Sequence, residues 1–131
     1  MKDFLLDTHV LLWWAEGSKK LSAEHRAIIE DLDSRLWLSV VSVWEATIKS
    51  GNGKLDLPGP AKEFFADVAS RFGFGVLPIH LSHAAGVGSL PPIHSDPFDR
   101  LLLSQAIAEG YVLLSDDASL YRYQVEGLEI R

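Results

Sequence analysis

Four short apolar runs, set apart by longer stretches of helical periodicity, constrain this chain more than any other feature. DFLL at 3–6, LWLSV at 36–40, VLPI at 76–79 and YVLL at 111–114 have the length and content of strands. Between them, residues 9–16, 22–33, 41–50, 61–72, 82–87 and 97–110 read as helices. Ser22 N-caps the second, with Ser22-Ala23-Glu24-His25 as a partial capping box, and Ala27, Ile28 and Leu32 supply its apolar stripe. Phe64, Phe65, Val68 and Phe72 do the same for the fourth. Ser82 is expected to cap the short fifth helix, and Asp96 the sixth, with Pro97 in its first turn. The YVLL run is apolar throughout, as in a strand covered on both faces. Alternating strands and helices predict an α/β fold: a mainly parallel central sheet of four to five strands, flanked by helices on both faces.

The 131 residues fit one domain, 1–131, and the 47% hydrophobic content is enough for an ordinary core. With no cysteine there is neither a disulfide nor a thiolate metal site, and a reducing compartment is permitted. No apolar run is long enough to span a bilayer, and Asp3 and Asp7 interrupt the N-terminal apolar stretch, so no signal peptide is expected. The net charge of −6 argues against a simple basic nucleic-acid binder. It does not exclude a phosphate substrate, because acids gathered around a metal ion no longer repel phosphate.

The placement of the acids is informative. Asp7 follows the first strand, and Ser115, Asp116 and Asp117 follow the fourth, at the sheet edge where ligands of doubly wound folds collect. Singly, each would be an ordinary cap or turn residue. Asp99 is harder to dismiss: Leu102, Leu103 and Ala106 lie three, four and seven residues on, so the carboxylate projects from an apolar stripe. Glu45 repeats the pattern between Val41 and Ile48, with Lys49 in place for an i,i+4 ion pair. Buried carboxylates that converge need a cation. An all-oxygen donor set favours a hard ion, Mg²⁺ or Mn²⁺, one or two in number, able to polarise a phosphoryl oxygen and activate water.

LLDTHVLLWW at 5–14, S-x-x-S-x-W-E at 39–45, IKSGNGKLDLP at 48–58, HSDPFDRLLLSQA at 94–106 and LLSDD at 113–117 together resemble the PIN domain, and within it the VapC-type toxins of toxin–antitoxin pairs. The resemblance runs from end to end. It implies a Mg²⁺-dependent endoribonuclease, a cytoplasmic homodimer held in check by a cognate VapB-like antitoxin. It implies Asp7, Glu45, Asp99 and Asp116 as the catalytic, metal-holding acids, with Asp117 as an additional one. Thr8 and Ser115 match hydroxyls that orient the first and last acids, and Asp96 serves as N-cap first and as outer support of the metal second. The alternatives are a degenerate PIN-like protein-binding module, which predicts a broken acid set, and a DNA-directed nuclease, since metal chemistry does not sense the 2′-hydroxyl. An aspartyl-phosphate phosphatase needs a second Asp two residues after the first, where this chain has His9.

Arg100, Lys49 and Lys54 are candidate contacts to substrate phosphate, with solvated surface charge as the simpler role. His83 and His94 have no ligand-type spacing, so histidine is not expected to bind the metal. Trp13, Trp14, Trp37 and Trp44 are of a type that stacks bases, but core or interface packing is the better expectation for most of them.

Overall fold

Strand β1 (Lys2–Leu6) sends its buried side chains to two opposite faces: Phe4 and Leu6 join one core cluster and Leu5 the other. That is the period of two expected of a strand covered on both sides. The computed structural model describes residues 1–131. After β1 come α1 (Thr8–Glu16), α2 (Ala23–Glu30), β2 (Ser34–Ser39), α3 (Val40–Gly51), α4 (Ala61–Phe72) and β3 (Gly75–Leu77). The chain continues through α5 (Leu81–Gly86), α6 (Pro97–Glu109), β4 (Val112–Leu114) and β5 (Glu129–Ile130). Single 3₁₀ turns occupy Val87–Ser89 and Ala118–Arg122.

The five strands form one sheet in the order β3-β2-β1-β4-β5, with every pairing parallel. The chain first winds outward from β1 through β2 to β3, then restarts on the other side with β4. Strand order therefore reverses between β1 and β4, and the carboxyl ends of those two strands flank the crevice where ligands of open α/β sheets bind.

The fold class expected from the sequence is the one observed, and the differences are local. Helix α2 ends at Glu30 because Asp31 turns to extended backbone and its carboxylate accepts the Asp33 amide at 2.9 Å. Leu32 is 95% exposed, so it belongs to no stripe; the buried side chains of α2 are His25 and Ile29. Ser22 does cap α2, accepting the His25 amide at 3.0 Å. Helix α5 begins one residue earlier than expected, at Leu81 after His80, so Ser82 lies within it and caps nothing. Strand β3 stops before Pro78, which has no N–H to offer a ladder. Trp37 lies across Gly75, where an added Cβ would come within 2.6 Å of the indole. The same indole stacks on Tyr111 and donates to Asp3, which makes it part of the scaffold.

Candidate active site

Asp7 is the first residue past β1. Its amide donates to the Leu114 carbonyl at 3.0 Å, which extends the β1–β4 ladder by one bond and fixes the residue at the sheet edge. Its carboxylate N-caps α1 by accepting the Val10 amide at 2.9 Å. The residue is 4% exposed. Burial pushes its pKa up, against the Ser115 hydroxyl and the Val10 amide, which favour the anion.

Glu45 is brought to the same edge by α3, whose N-terminus Ser39 caps through the Val41 amide. Val41, Ser42 and Ala46 are buried beside it, whereas Ile48 is half-exposed, so Glu45 sits within the buried face. Each of its oxygens has a partner. Thr8 Oγ1 donates to Oε1 at 2.7 Å, and Lys49 Nζ lies 2.5 Å from Oε2. Ser42 Oγ is 2.9 Å from Thr8 Oγ1 and completes a buried chain of hydroxyls behind the carboxylate. The hydrogen bond to Glu45 raises the Lys49 pKa despite partial burial, and the charges of Glu45, Asp96 and Asp99 add to the effect. Lys49 is thus tied to the acids, and only Lys54 of the two lysines stays exposed beside them.

Asp99 stands in the first turn of α6, and Asp96 caps that helix by accepting the Phe98 amide at 2.8 Å and the Asp99 amide at 3.4 Å. Leu102, Leu103 and Ala106 on its face are fully buried. Burial and the charge of Asp96 push the Asp99 carboxyl up to about 6, opposed by a hydrogen bond from His94 and reinforced by the charges of Glu45 and Asp7. Acids 92 residues apart in the chain, Asp7 and Asp99, therefore act on one another electrostatically.

Asp7, Asp116 and Asp117 share a hollow of about 300 Å³ with His9 and Trp13. Asp116 is exposed toward it. Asp117 caps the following 3₁₀ turn through the Ser119 amide at 2.9 Å and the Ser119 hydroxyl at 2.7 Å. Burial pushes its pKa up, but those bonds and the positive charges of His94 and His9 outweigh this and hold it below the usual carboxylate range. A second hollow, lined by Thr8, Glu45, Lys49 and Lys54, adjoins the first and shares His9 with it.

Three expectations change at this level. The hydroxyl of Thr8 donates to Glu45 rather than to its neighbour Asp7, and that of Ser115 bonds the Asp7 carboxylate while also accepting the Asp117 amide at 3.1 Å. Arg100 does not face the hollow as a phosphate contact: its donors are taken up by the carbonyls of Val87, Leu90 and Pro91 and by the Tyr123 hydroxyl. His94, set aside in the sequence for want of a ligand-type spacing, joins the acids. Its Nε2 lies 2.9 Å from Asp99 Oδ2 and 3.8 Å from Asp117 Oδ2, so the three side chains form one cluster. The HSDPFDR motif carried that signal, because the turn set by Asp96 and Pro97 brings residue 94 back beside residue 99.

The donor set suits a hard cation. Apart from the His94 Nε2, it consists of carboxylate oxygens crowded enough to raise the Asp99 pKa, with no thiolate in the chain.

Known proteins share this organisation. The PIN domain family profile matches residues 4–126. A curated relative, Ribonuclease VapC22 of Mycobacterium tuberculosis, is 29% identical over 121 residues, covering 92% of this chain and 91% of its own. Among solved structures, VapBC2 from Rickettsia felis, bound to a DNA fragment from its promoter, superposes with a TM-score of 0.72 at 16% identity, covering 98% of this chain and 97% of that one. FitAcB from Neisseria gonorrhoeae gives 0.62 at 18% identity, covering 97% and 95%.

Proposed function

Because the chain belongs to the PIN domain family, we propose that its acidic hollow is the active site of a divalent-metal-dependent endoribonuclease, the toxin of a toxin–antitoxin pair. One observation carries the chemical part of this reading: the charges of Asp96, Glu45 and Asp7 all bear on the Asp99 carboxyl at the sheet's switch point. Such crowding is unfavourable unless a cation relieves it. RNA as substrate is supported by the relative named as a ribonuclease. A VapB-like antitoxin partner is supported by the similarity in fold to chains solved as VapBC complexes.

In this reading Asp7, Glu45, Asp99 and Asp116 hold the ion, with Asp117 as an additional acid. Mg²⁺ is the natural occupant and Mn²⁺ its substitute, since both prefer oxygen donors. When bound, such an ion polarises the phosphoryl oxygen and lowers the pKa of water that attacks it. The protein's own part is to keep the carboxylates aimed. Ser115 and the Val10 amide hold Asp7, and Thr8, Ser42 and Lys49 hold Glu45. Asp96 fixes the start of α6 and adds negative charge beside Asp99. Lys54, exposed at the rim, is placed to meet the phosphate chain. A single nuclease domain over residues 1–131, a homodimer and a cytoplasmic location complete the proposal.

The test is cleavage of total RNA by the wild type and by Asp99→Asn, with Mg²⁺ and with EDTA. Removing an outer support of a metal typically lowers activity about 10–100-fold, so removing a direct ligand should lower it by at least about 100-fold. EDTA should abolish cleavage by the wild type and Mn²⁺ should restore it. Undiminished cleavage by Asp99→Asn at saturating Mg²⁺, or cleavage that persists in EDTA, would refute the proposal.

A further inference from the structure

We propose that His94 is a positioning residue of the acidic site: its Nε2–H holds one oxygen of Asp99, and Arg100 and Tyr123 fix the segment that carries it. The proposal rests on the metal-site reading above and adds to it a residue outside the carboxylate set.

The segment from Val87 to His94 has little regular structure of its own, yet it is pinned at several points. Arg100 Nη1 donates to the Pro91 carbonyl at 2.9 Å and to the Tyr123 hydroxyl at 3.1 Å. Its Nη2 donates to the Val87 carbonyl at 3.2 Å and to the Leu90 carbonyl at 3.4 Å. The planar guanidinium fork suits this geometry, and lysine would not reproduce it. The Tyr123 hydroxyl also accepts the His94 amide at 2.9 Å, and its ring is buried. Pro91 and Pro92 narrow the backbone choices further. Arg100 belongs to the same first turns of α6 as Asp99. The clamp and the acid therefore sit on one rigid element, and the distance between His94 and Asp99 is set by that element.

A contact serving only to hold the chain would not need the imidazole, because the Arg100–Tyr123 clamp already supplies the anchor through backbone groups. The imidazole instead turns toward the acids: a quarter of its side chain is exposed, and its Nε2 lies 2.9 Å from Asp99 Oδ2. A hydrogen bond at Oδ2 fixes the rotation of the carboxyl and leaves Oδ1 as its freer oxygen. Outer hydrogen bonds of this kind orient metal-binding groups and tune their affinity. Asp117 Oδ2 lies 3.8 Å from the same nitrogen, so both acids converge on one edge of the imidazole.

The experiment is Mg²⁺ binding to the full chain without RNA, by calorimetry, for wild type, His94→Ala and His94→Gln. The glutamine amide N–H can replace the Nε2–H, whereas alanine cannot. Affinity should fall by about tenfold or more in His94→Ala and return to within about threefold of wild type in His94→Gln. Wild-type affinity in His94→Ala overturns the proposal. Equal loss in both variants also overturns it, and points to the imidazole as a direct ligand. A second measurement keeps the question open to refutation should His94→Ala fail to fold or wild type fail to bind Mg²⁺. The imidazole ¹⁵N spectrum of the metal-free chain, taken at about pH 8 where histidine is ordinarily neutral, should show the Nε2–H tautomer and should shift in Asp99→Asn. The Nδ1–H tautomer, or a spectrum indifferent to Asp99→Asn, refutes the role of His94 separately from the metal reading.

Discussion

Replacing Asp99 by asparagine should stabilise the metal-free protein at neutral and alkaline pH. The folded state holds the Asp99 proton up to about pH 6, against an ordinary value of 3.8. Folding therefore favours the neutral acid, and the anion is a penalty borne only by the folded state. That penalty is fully present above about pH 6 and fades as pH falls through the folded pKa toward 3.8, where the unfolded chain also takes up its proton. At about 1.4 kcal/mol per pH unit, the difference corresponds to about 3 kcal/mol. The Asp99 side chain is 18% exposed, and solvent screening reduces the expected effect to about 1–2 kcal/mol. Asparagine keeps the volume and an acceptor for His94 while removing the charge. Urea unfolding in EDTA, at several pH values between about 4 and 8, should show Asp99→Asn more stable than wild type by about 1–2 kcal/mol at the alkaline end. The two proteins should converge at the acid end, with unchanged m-values. A variant less stable than wild type near pH 8, or a difference that does not vary with pH, would refute the electrostatic argument.

Two further substitutions test the supports around the acids. Thr8→Val removes the hydroxyl that donates to Glu45 Oε1 and leaves a buried carboxylate oxygen without that donor; a loss of about 1–3 kcal/mol is expected in the same unfolding assay, and stability equal to wild type would count against the pairing. Gly75→Ala pushes a methyl group into the Trp37 indole; it should destabilise by about 1–3 kcal/mol and alter near-UV circular dichroism, with no change in either if the indole can swing aside freely.

The parts of the fold visible in the sequence are those whose cause is local. The Asp96-Pro97 start of α6 follows from cap chemistry and a ring-fixed φ, and Asp99 facing inward follows from its spacing to Leu102, Leu103 and Ala106. The inward position of Glu45 was legible from Val41 four residues before it, though not from Ile48, which is half-exposed. Leu32 misled because an apolar residue at helical spacing carries no mark of the Asp31 turn that ends α2 before it. Strand β5 has only two residues, Glu129 and Ile130, and exists because they meet Val112 and Leu113 across the sheet. No local pattern announces such a strand. The bonds from Thr8 to Glu45 and from Ser115 to Asp7 depend on how β1, α3 and β4 come together, so nothing local in the chain announces them. His94 and Arg100 lie on either side of a helix start, and their roles emerge only when the preceding segment folds back onto α6.

The most direct test of the central claim, that Asp7, Glu45, Asp99 and Asp116 share one cation, is a crystal soaked with Mn²⁺ and measured for anomalous scattering. The account predicts a peak bounded by these four carboxylates in the wild type, and its loss or marked weakening in Asp99→Asn. No peak among them in the wild type, or a peak elsewhere while each carboxylate keeps only its protein partners, would contradict it.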